Sequence, residues 1–176
     1  MTSHEFSVGL ARPTDALEIA QMSRDLVENG LRWSWTATRV EASVRRPDAL
    51  VVVARGAAGI AGFGIMRYGE DEAHLDLLGV APDCRNEGLG RRLVEWLEKP
   101  ALAAGISVVF LEVREANLGA QAFYERLGYR KLARLAGYYQ ESESAIRMGR
   151  ELGCRDGSGT VVWPSLVTGQ VTLVQK

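Results

Sequence analysis

Short apolar runs of strand length alternate along the chain with stretches in which apolar residues recur every three to four positions. Residues 6–11 (FSVGLA) predict a strand. Pro13 and Thr14 then open a helix in which Leu17, Ile19, Met22, Leu26 and Val27 recur at helical spacing until Gly30. Thr38 and Glu41 have capping-box spacing, so a second short helix is predicted to start at Thr38 and to end before Pro47. The β-rich runs 49–55 (ALVVVAR) and 60–68 (IAGFGIMRY) flank a Gly/Ala turn and predict a hairpin. A strand over 73–81 leads through Pro82, Asp83 and Cys84 into a Gly-broken loop, then into a helix with Leu89, Leu93, Trp96 and Leu97 on one face. Pro100 is expected to kink or end that helix, because it lacks an N–H and crowds the preceding turn. Residues 106–114 (ISVVFLEVR) predict a buried strand. Asn117 is placed to cap a helix over 118–127 with Gly128 at its C′ position, and strands are expected over 129–136 and 144–151.

This order predicts a mixed α/β layer architecture, and 176 residues is one domain's worth of chain. The domain is expected over 5–151, with 152–176 as a C-terminal extension. In the extension a Gly/Ser-rich stretch precedes a β-prone run that contains Pro164 and Gly169. An extra hairpin, a strand that pairs with a second subunit to make a homodimer, and a loosely attached tail all stay open.

Lys plus Arg number 21 against 22 Asp plus Glu, for a net charge of −1, so the broad basic field of a nucleic-acid binder is absent and no membrane attraction is expected. No apolar run approaches the roughly 20 residues of a membrane helix, and the start lacks the order of a signal peptide. Cys84 and Cys154 lie far apart, and with two histidines they give no zinc-site spacing. A cytoplasmic, metal-independent domain with free thiols is the expectation.

Candidate chemistry concentrates in Leu78-Gly79-Val80-Ala81-Pro82-Asp83-Cys84-Arg85-Asn86-Glu87-Gly88-Leu89-Gly90-Arg91-Arg92, which runs strand, turn, Gly-spaced loop, helix start. Glycines let backbone approach an anion, the first helical turn presents unpaired N–H groups, and Arg85, Arg91 and Arg92 add positive charge: a device for holding a pyrophosphate. No Gly-Lys-Ser/Thr follows and the third Gly of a dinucleotide fingerprint is missing.

The Arg-x-x-Gly-x-Gly pattern over Arg85–Gly90, placed after a strand, resembles the acetyl-CoA loop of the GNAT N-acetyltransferases. A second block, LEVREAN over 111–117 followed by AFYERLGY over 122–129, resembles the later half of the same fold. With Arg134, Tyr138-Tyr139 and AIRM over 145–148, the chain is most similar to the RimI-like branch, the ribosomal-protein-alanine N-acetyltransferases. The resemblance implies a central mixed twisted sheet with helices on both faces and a splayed strand pair that binds acetyl-CoA. The backbone of Leu78, Gly79 and Val80 would pair with the pantetheine arm and polarise the thioester carbonyl. Asn86, Glu87, Gly88, Leu89, Gly90 and Arg91, beside Arg85, would hold the pyrophosphate, with Glu87 an unusual carboxylate in such a loop. Asn117 would reach the cofactor, cap its helix, or do both.

Tyr124 matches the family's general acid, and Glu112, twelve positions earlier, matches its base. His74 ranks second as base and Asp76 competes, both on one side of their strand. Cys84 lies at the wrong end of the cofactor to act as nucleophile. Trp33 and Trp35 either wall an acceptor pocket or pack their loop on the core, and the same pair of readings applies to Tyr138 and Tyr139. The implied acceptor is a protein N-terminal α-amine, with a small amine such as an amino acid or polyamine as the alternative. A CoA-binding module without catalysis is the competing class.

Overall fold

The computed structural model describes residues 5–140, 143–155 and 161–162. In chain order the elements are β1 (Ser7–Leu10), α1 (Ala16–Leu26), α2 (Ala37–Arg45), β2 (Ala49–Gly56), β3 (Gly59–Tyr68), β4 (Glu72–Val80), α3 (Leu89–Ala103), β5 (Val108–Arg114), α4 (Leu118–Arg126), β6 (Arg130–Tyr139) and β7 (Glu143–Glu151). The short strands β8 (Cys154–Arg155) and β9 (Val161–Val162) pair antiparallel. The other expectations for the extension lie outside the described residues.

Seven strands form one sheet in the order β1-β2-β3-β4-β5-β7-β6, with β4 and β5 parallel and every other pairing antiparallel. Two clusters of buried apolar side chains cover its faces. Leu89, Leu93, Val94, Leu97 and Ala101 of α3, Tyr124 of α4 and Leu127 at its C-cap belong to the first. Ala16, Ile19 and Ala20 of α1 and Val40 of α2 belong to the second. Val109, Leu111 and Val113 of β5 lie in the first cluster, so strand alternation turns Phe110, Glu112 and Arg114 to the opposite face.

The feature that shapes the molecule is a bulge in β4. Ile65 stands opposite Leu77 but Met66 stands opposite Leu75, which leaves Asp76 as the extra residue. Alternation flips across it: Ala73 and Leu75 lie in the first cluster, Leu77 in the second, and Leu78 and Val80 again pack on the first. A bulged strand bends, and the parallel pairing of β4 with β5 stops at His74 and Phe110, just before the bulge. Beyond it β4 stays paired with β3 as far as Val80, while β5 stays paired with β7 as far as Arg114. A wedge-shaped gap therefore opens in the middle of the sheet.

Several boundaries differ from expectation. The N-cap of α2 is Thr36, not Thr38: its side chain accepts from Arg39 N, with Trp35 at N′ and Val40 at N4 in the same core cluster, a hydrophobic staple. Pro100 does not end α3, which runs on to Ala103 because Ala101 of its last turn is fully buried. Strand β6 extends to Tyr139, which puts Tyr138 and Tyr139 on the strand instead of beyond it. Asn117 caps α4 as expected by accepting from Ala120 N at 3.0 Å. Gly128, at φ 93, closes that helix with the paired bonds of a Schellman motif, Gly128 N to Glu125 O and Tyr129 N to Tyr124 O.

Gly79 is fixed by packing. A Cβ there would lie 2.6 Å from Cε1 of Phe63, whose ring is wholly buried and cannot retreat. Gly79→Ala is expected to destabilise the fold by about 1–3 kcal/mol, seen as a lower urea midpoint with an unchanged slope.

Candidate active site

At the wide end of the gap, β4 runs through a 3-10 turn at Pro82–Cys84 into the loop that opens α3. Asn86 and Gly88 take positive φ, 64° and 77°, which Asn tolerates and Gly adopts freely. A Cβ at Gly88 would meet nothing within 4 Å, so the backbone there is open to a ligand. The first helical hydrogen bond of this turn is Arg92 N to Gly88 O, so the N–H groups of Leu89, Gly90 and Arg91 face outward from the helix start. Gly90 serves the helix contact as well: a Cβ would lie 3.1 Å from Phe123 of α4. Arg85 donates Nε to Val80 O at 3.1 Å and anchors the loop to the strand end. Arg92 is not part of the anion cradle, because its guanidinium donates to Phe6 O at 2.8 Å.

The strand edge is equally specific. Ala81 N donates to Ala61 O at 2.8 Å, so ladder alternation turns the peptide groups of Gly79 toward β3 and those of Leu78 and Val80 toward the gap. Of the three residues expected to pair with a donor's arm, Leu78 and Val80 present their backbone there. Gly79 instead makes room for Phe63.

Tyr124 and Glu112 lie on opposite faces of the split sheet. Tyr124, on α4, is buried in the first cluster and packs edge-on against Phe123 and Tyr129, with ring centroids 5.1 and 5.6 Å away. Burial pushes its phenol well above the ordinary value, so it is a protonated donor at neutral pH. Among the described residues its hydroxyl makes no hydrogen bond.

On the other face, side chains from five neighbouring strands converge. His74 Nε2 lies 2.7 Å from Glu112 Oε2, and His74 Nδ1 lies 2.8 Å from Asp76 Oδ1. Arg67 of β3 grips Asp76 through two guanidinium nitrogens, with Nη2 2.6 Å from Oδ1. Arg147 of β7 brings Nε to 3.0 Å from Glu112 Oε1, an ion pair whose N–H is not aimed along a hydrogen bond. Tyr138 donates to Glu112 Oε2 at 3.3 Å and Tyr139 to the Glu112 carbonyl at 3.5 Å. Burial alone would raise the Glu112 carboxyl, but the His74 bond and the His74 and Arg147 charges outweigh it and hold it below its usual range. Burial would likewise lower His74, but its bonds to Asp76 and Glu112 prevail and raise it. Asp76 is driven far down: its burial is outweighed by Arg67 and His74. The Tyr138 phenol is pushed up to about 12 by burial and the Glu112 charge.

The structure thus brings Glu112, His74, Asp76, Tyr138 and Tyr139 together. Arg67 and Arg147 were not singled out in the sequence. Each stands directly opposite its partner strand's polar residue, Arg67 across from His74 and Arg147 across from Glu112, a signal visible only once strand register is known. Cys84 is a free thiol whose pKa is raised by partial burial and by Asp83 and Glu87, the opposite of an activated nucleophile.

Two segments frame this face. Glu28 organises the loop between α1 and α2 by accepting from Ser34 N (2.8 Å), Ser34 Oγ (2.6 Å), Trp35 N (3.2 Å) and Ser23 Oγ (3.0 Å). Trp35 is 7% exposed and lies in the second core cluster, with the Arg39 guanidinium 4.1 Å above its ring, so its side chain packs the loop and does not wall a pocket. Trp33 is 37% exposed and remains at the surface near Arg24. Arg114, two residues beyond Glu112, pairs with both oxygens of Glu143 at the β6–β7 hairpin and donates to Asn29 O at 2.7 Å. One guanidinium therefore ties loop and hairpin together.

The profile of the Acetyltransferase (GNAT) family matches residues 18–129. The [ribosomal protein bS18]-alanine N-acetyltransferase of Escherichia coli K12 is 37% identical over 84 residues, 48% of this chain, and the match spans only 57% of that relative's length. The N-alpha-acetyltransferase RimI of Mycobacterium tuberculosis is 31% identical over 152 residues, 84% of this chain and 93% of that protein. Among solved structures, the E. coli ribosomal-protein-S18-alanine N-acetyltransferase superposes with a TM-score of 0.71 at 28% identity, over 84% of this chain and 94% of that one.

Proposed function

The chain belongs to the acetyltransferase (GNAT) family, and from that premise we propose that it transfers acetyl from acetyl-CoA directly to a protein N-terminal α-amine. The observation that carries this reading is the β4–β5 gap, the passage through which a donor on the α4 face and an acceptor on the opposite face can meet. Acetyl-CoA fits what lines it: the gap-facing N–H groups of Leu78 and Val80 and the Leu78 carbonyl, open backbone at Gly88, and the N–H groups that start α3, while Arg85 already holds the Val80 carbonyl. It supplies the activated acyl carbon.

The protein's own groups then manage two protons. The acceptor arrives as an ammonium and must lose a proton before its nitrogen can bond to the acyl carbon. The Glu112 side of the gap receives that proton, and Leu78 and Val80 amides stabilise charge on the carbonyl oxygen. As the C–S bond breaks, Tyr124 protonates the departing thiolate, and the products are the amide and free CoA. An α-amine with pKa near ~8 is roughly a tenth free at pH 7, whereas a lysine near ~10.4 is under about 0.1% free, which favours the α-amine. The two relatives named for N-terminal or alanine acetylation support the same acceptor.

The test is CoA release with peptides bearing free α-amines, N-blocked lysine peptides and small amines. Turnover restricted to free N-termini supports the reading; turnover only on small amines overturns the acceptor. Because Arg114 holds both framing segments, Arg114→Met is expected to raise the acceptor KM about tenfold or more, the equivalent of losing a charge-assisted bidentate contact. Acetyl-CoA affinity, read by calorimetry, should not change.

A further inference from the structure

His74 spends both ring nitrogens on carboxylates, Nδ1 on Asp76 at 2.8 Å and Nε2 on Glu112 at 2.7 Å. An ionised carboxylate only accepts, so each of these contacts requires a proton on the ring nitrogen. In the resting site Glu112 Oε2 therefore already accepts from His74 and from Tyr138, while Oε1 faces Arg147. Glu112 acting alone would be a poorly matched base: a carboxylate held below its usual range must take a proton from an ammonium near ~8.

We propose that the proton acceptor of the reaction is the Glu112–His74 pair acting as one unit, with Asp76 and Arg67 as the positioning residues that hold the ring. This deepens the acetyltransferase reading and rests on it. In the active form the pair has lost the Nε2 proton, while Nδ1–H stays on Asp76. The acceptor ammonium gives one proton to the Glu112 carboxylate, which hands it to His74 Nε2 and so restores the Nε2–H···Oε2 bond. The freed lone pair on the amine forms the C–N bond, and the pair returns its proton to solvent before the next turnover. The groups facing His74 are Arg67 from β3, whose Nη2 is 3.5 Å from Nδ1, Asp76 from its own strand and Glu112 from β5. Arg147 from β7 and Tyr138 from β6 act on it through Glu112. Their balance raises the imidazole above its ordinary range, toward the pKa of the α-amine it serves.

The chain has two histidines, His4 and His74, so a ring-labelled NMR titration gives two signals, and His74→Asn identifies one of them. In the wild type saturated with CoA and the α-amine peptide, a non-reacting complex that matches the bound state kcat reports, His74 should titrate above ~6.5, and the acid limb of kcat at saturating peptide should follow that same value. Asp76→Asn should move both the signal and the limb down by about one unit. Arg67→Met, which leaves Asp76 uncompensated, should move both up. A wild-type limb that does not coincide with the His74 titration, or a limb that stays fixed while the variants' signal shifts, overturns the pair. The first comparison needs no variant to fold. A wild type that binds acetyl-CoA but turns over no amine would instead sink the acetyltransferase reading, and the pair with it.

Discussion

Tyr124→Phe is expected to lower kcat by about 10²- to 10⁴-fold, the span of a lost general acid, with little change in acetyl-CoA affinity or stability. The division follows from the site. The ring is buried against Phe123 and Tyr129, contacts that phenylalanine keeps. The hydroxyl makes no hydrogen bond among the described residues, so deleting it strands no partner, which is the usual source of a large cost. What disappears is a donor kept protonated by burial. Stopped-flow detection of CoA thiol and a urea titration on the same sample separate the two effects. A variant with full activity would remove Tyr124 from the chemistry.

Glu112→Gln is expected to be as severe for kcat, and unlike Tyr124→Phe it should also cost stability. Arg147 and His74 approach this carboxylate at 3.0 and 2.7 Å, and an amide leaves both beside a neutral group. Removing one partner of a buried charged cluster costs about 3–5 kcal/mol in severe cases; here an isosteric amide still accepts one hydrogen bond, and about 1–3 kcal/mol is expected. His74 should fall toward its ordinary pKa in the same variant, because one of the two carboxylates that raise it is gone. Urea unfolding and the His74 titration check these directions independently of turnover.

The contrast between these two residues shows what the sequence could carry. Their spacing of twelve carried meaning only through the resemblance to the RimI-like branch, whereas the Gly-broken loop at the start of α3 and the Asn117 and Gly128 caps of α4 were legible because each depends on local chemistry at fixed offsets. That Tyr124 and Glu112 stand on opposite faces of a sheet split between β4 and β5 was not legible. It depends on one extra residue, Asp76, that shifts the β3–β4 register, and nothing in the run AHLDLLGV marks that position. The Arg67–Asp76 and Glu112–Arg147 contacts depend on the same cross-strand registers. Thr36 rather than Thr38 caps α2 because the burial of Trp35 fixes where the chain enters the helix, a tertiary effect that overrode the Thr38–Glu41 spacing. Pro100 stays inside α3 for a similar reason, since docking of Ala101 holds the last turn in place.

The most direct test of direct transfer across the gap is initial-velocity kinetics of CoA release, with acetyl-CoA and a free α-amine peptide both varied. The predicted result is a family of intersecting lines, as a ternary complex requires, and no acetylated enzyme when acetyl-CoA is supplied alone. Parallel lines together with acetyl recovered on Cys84, or no release with any amine despite acetyl-CoA binding, would contradict it.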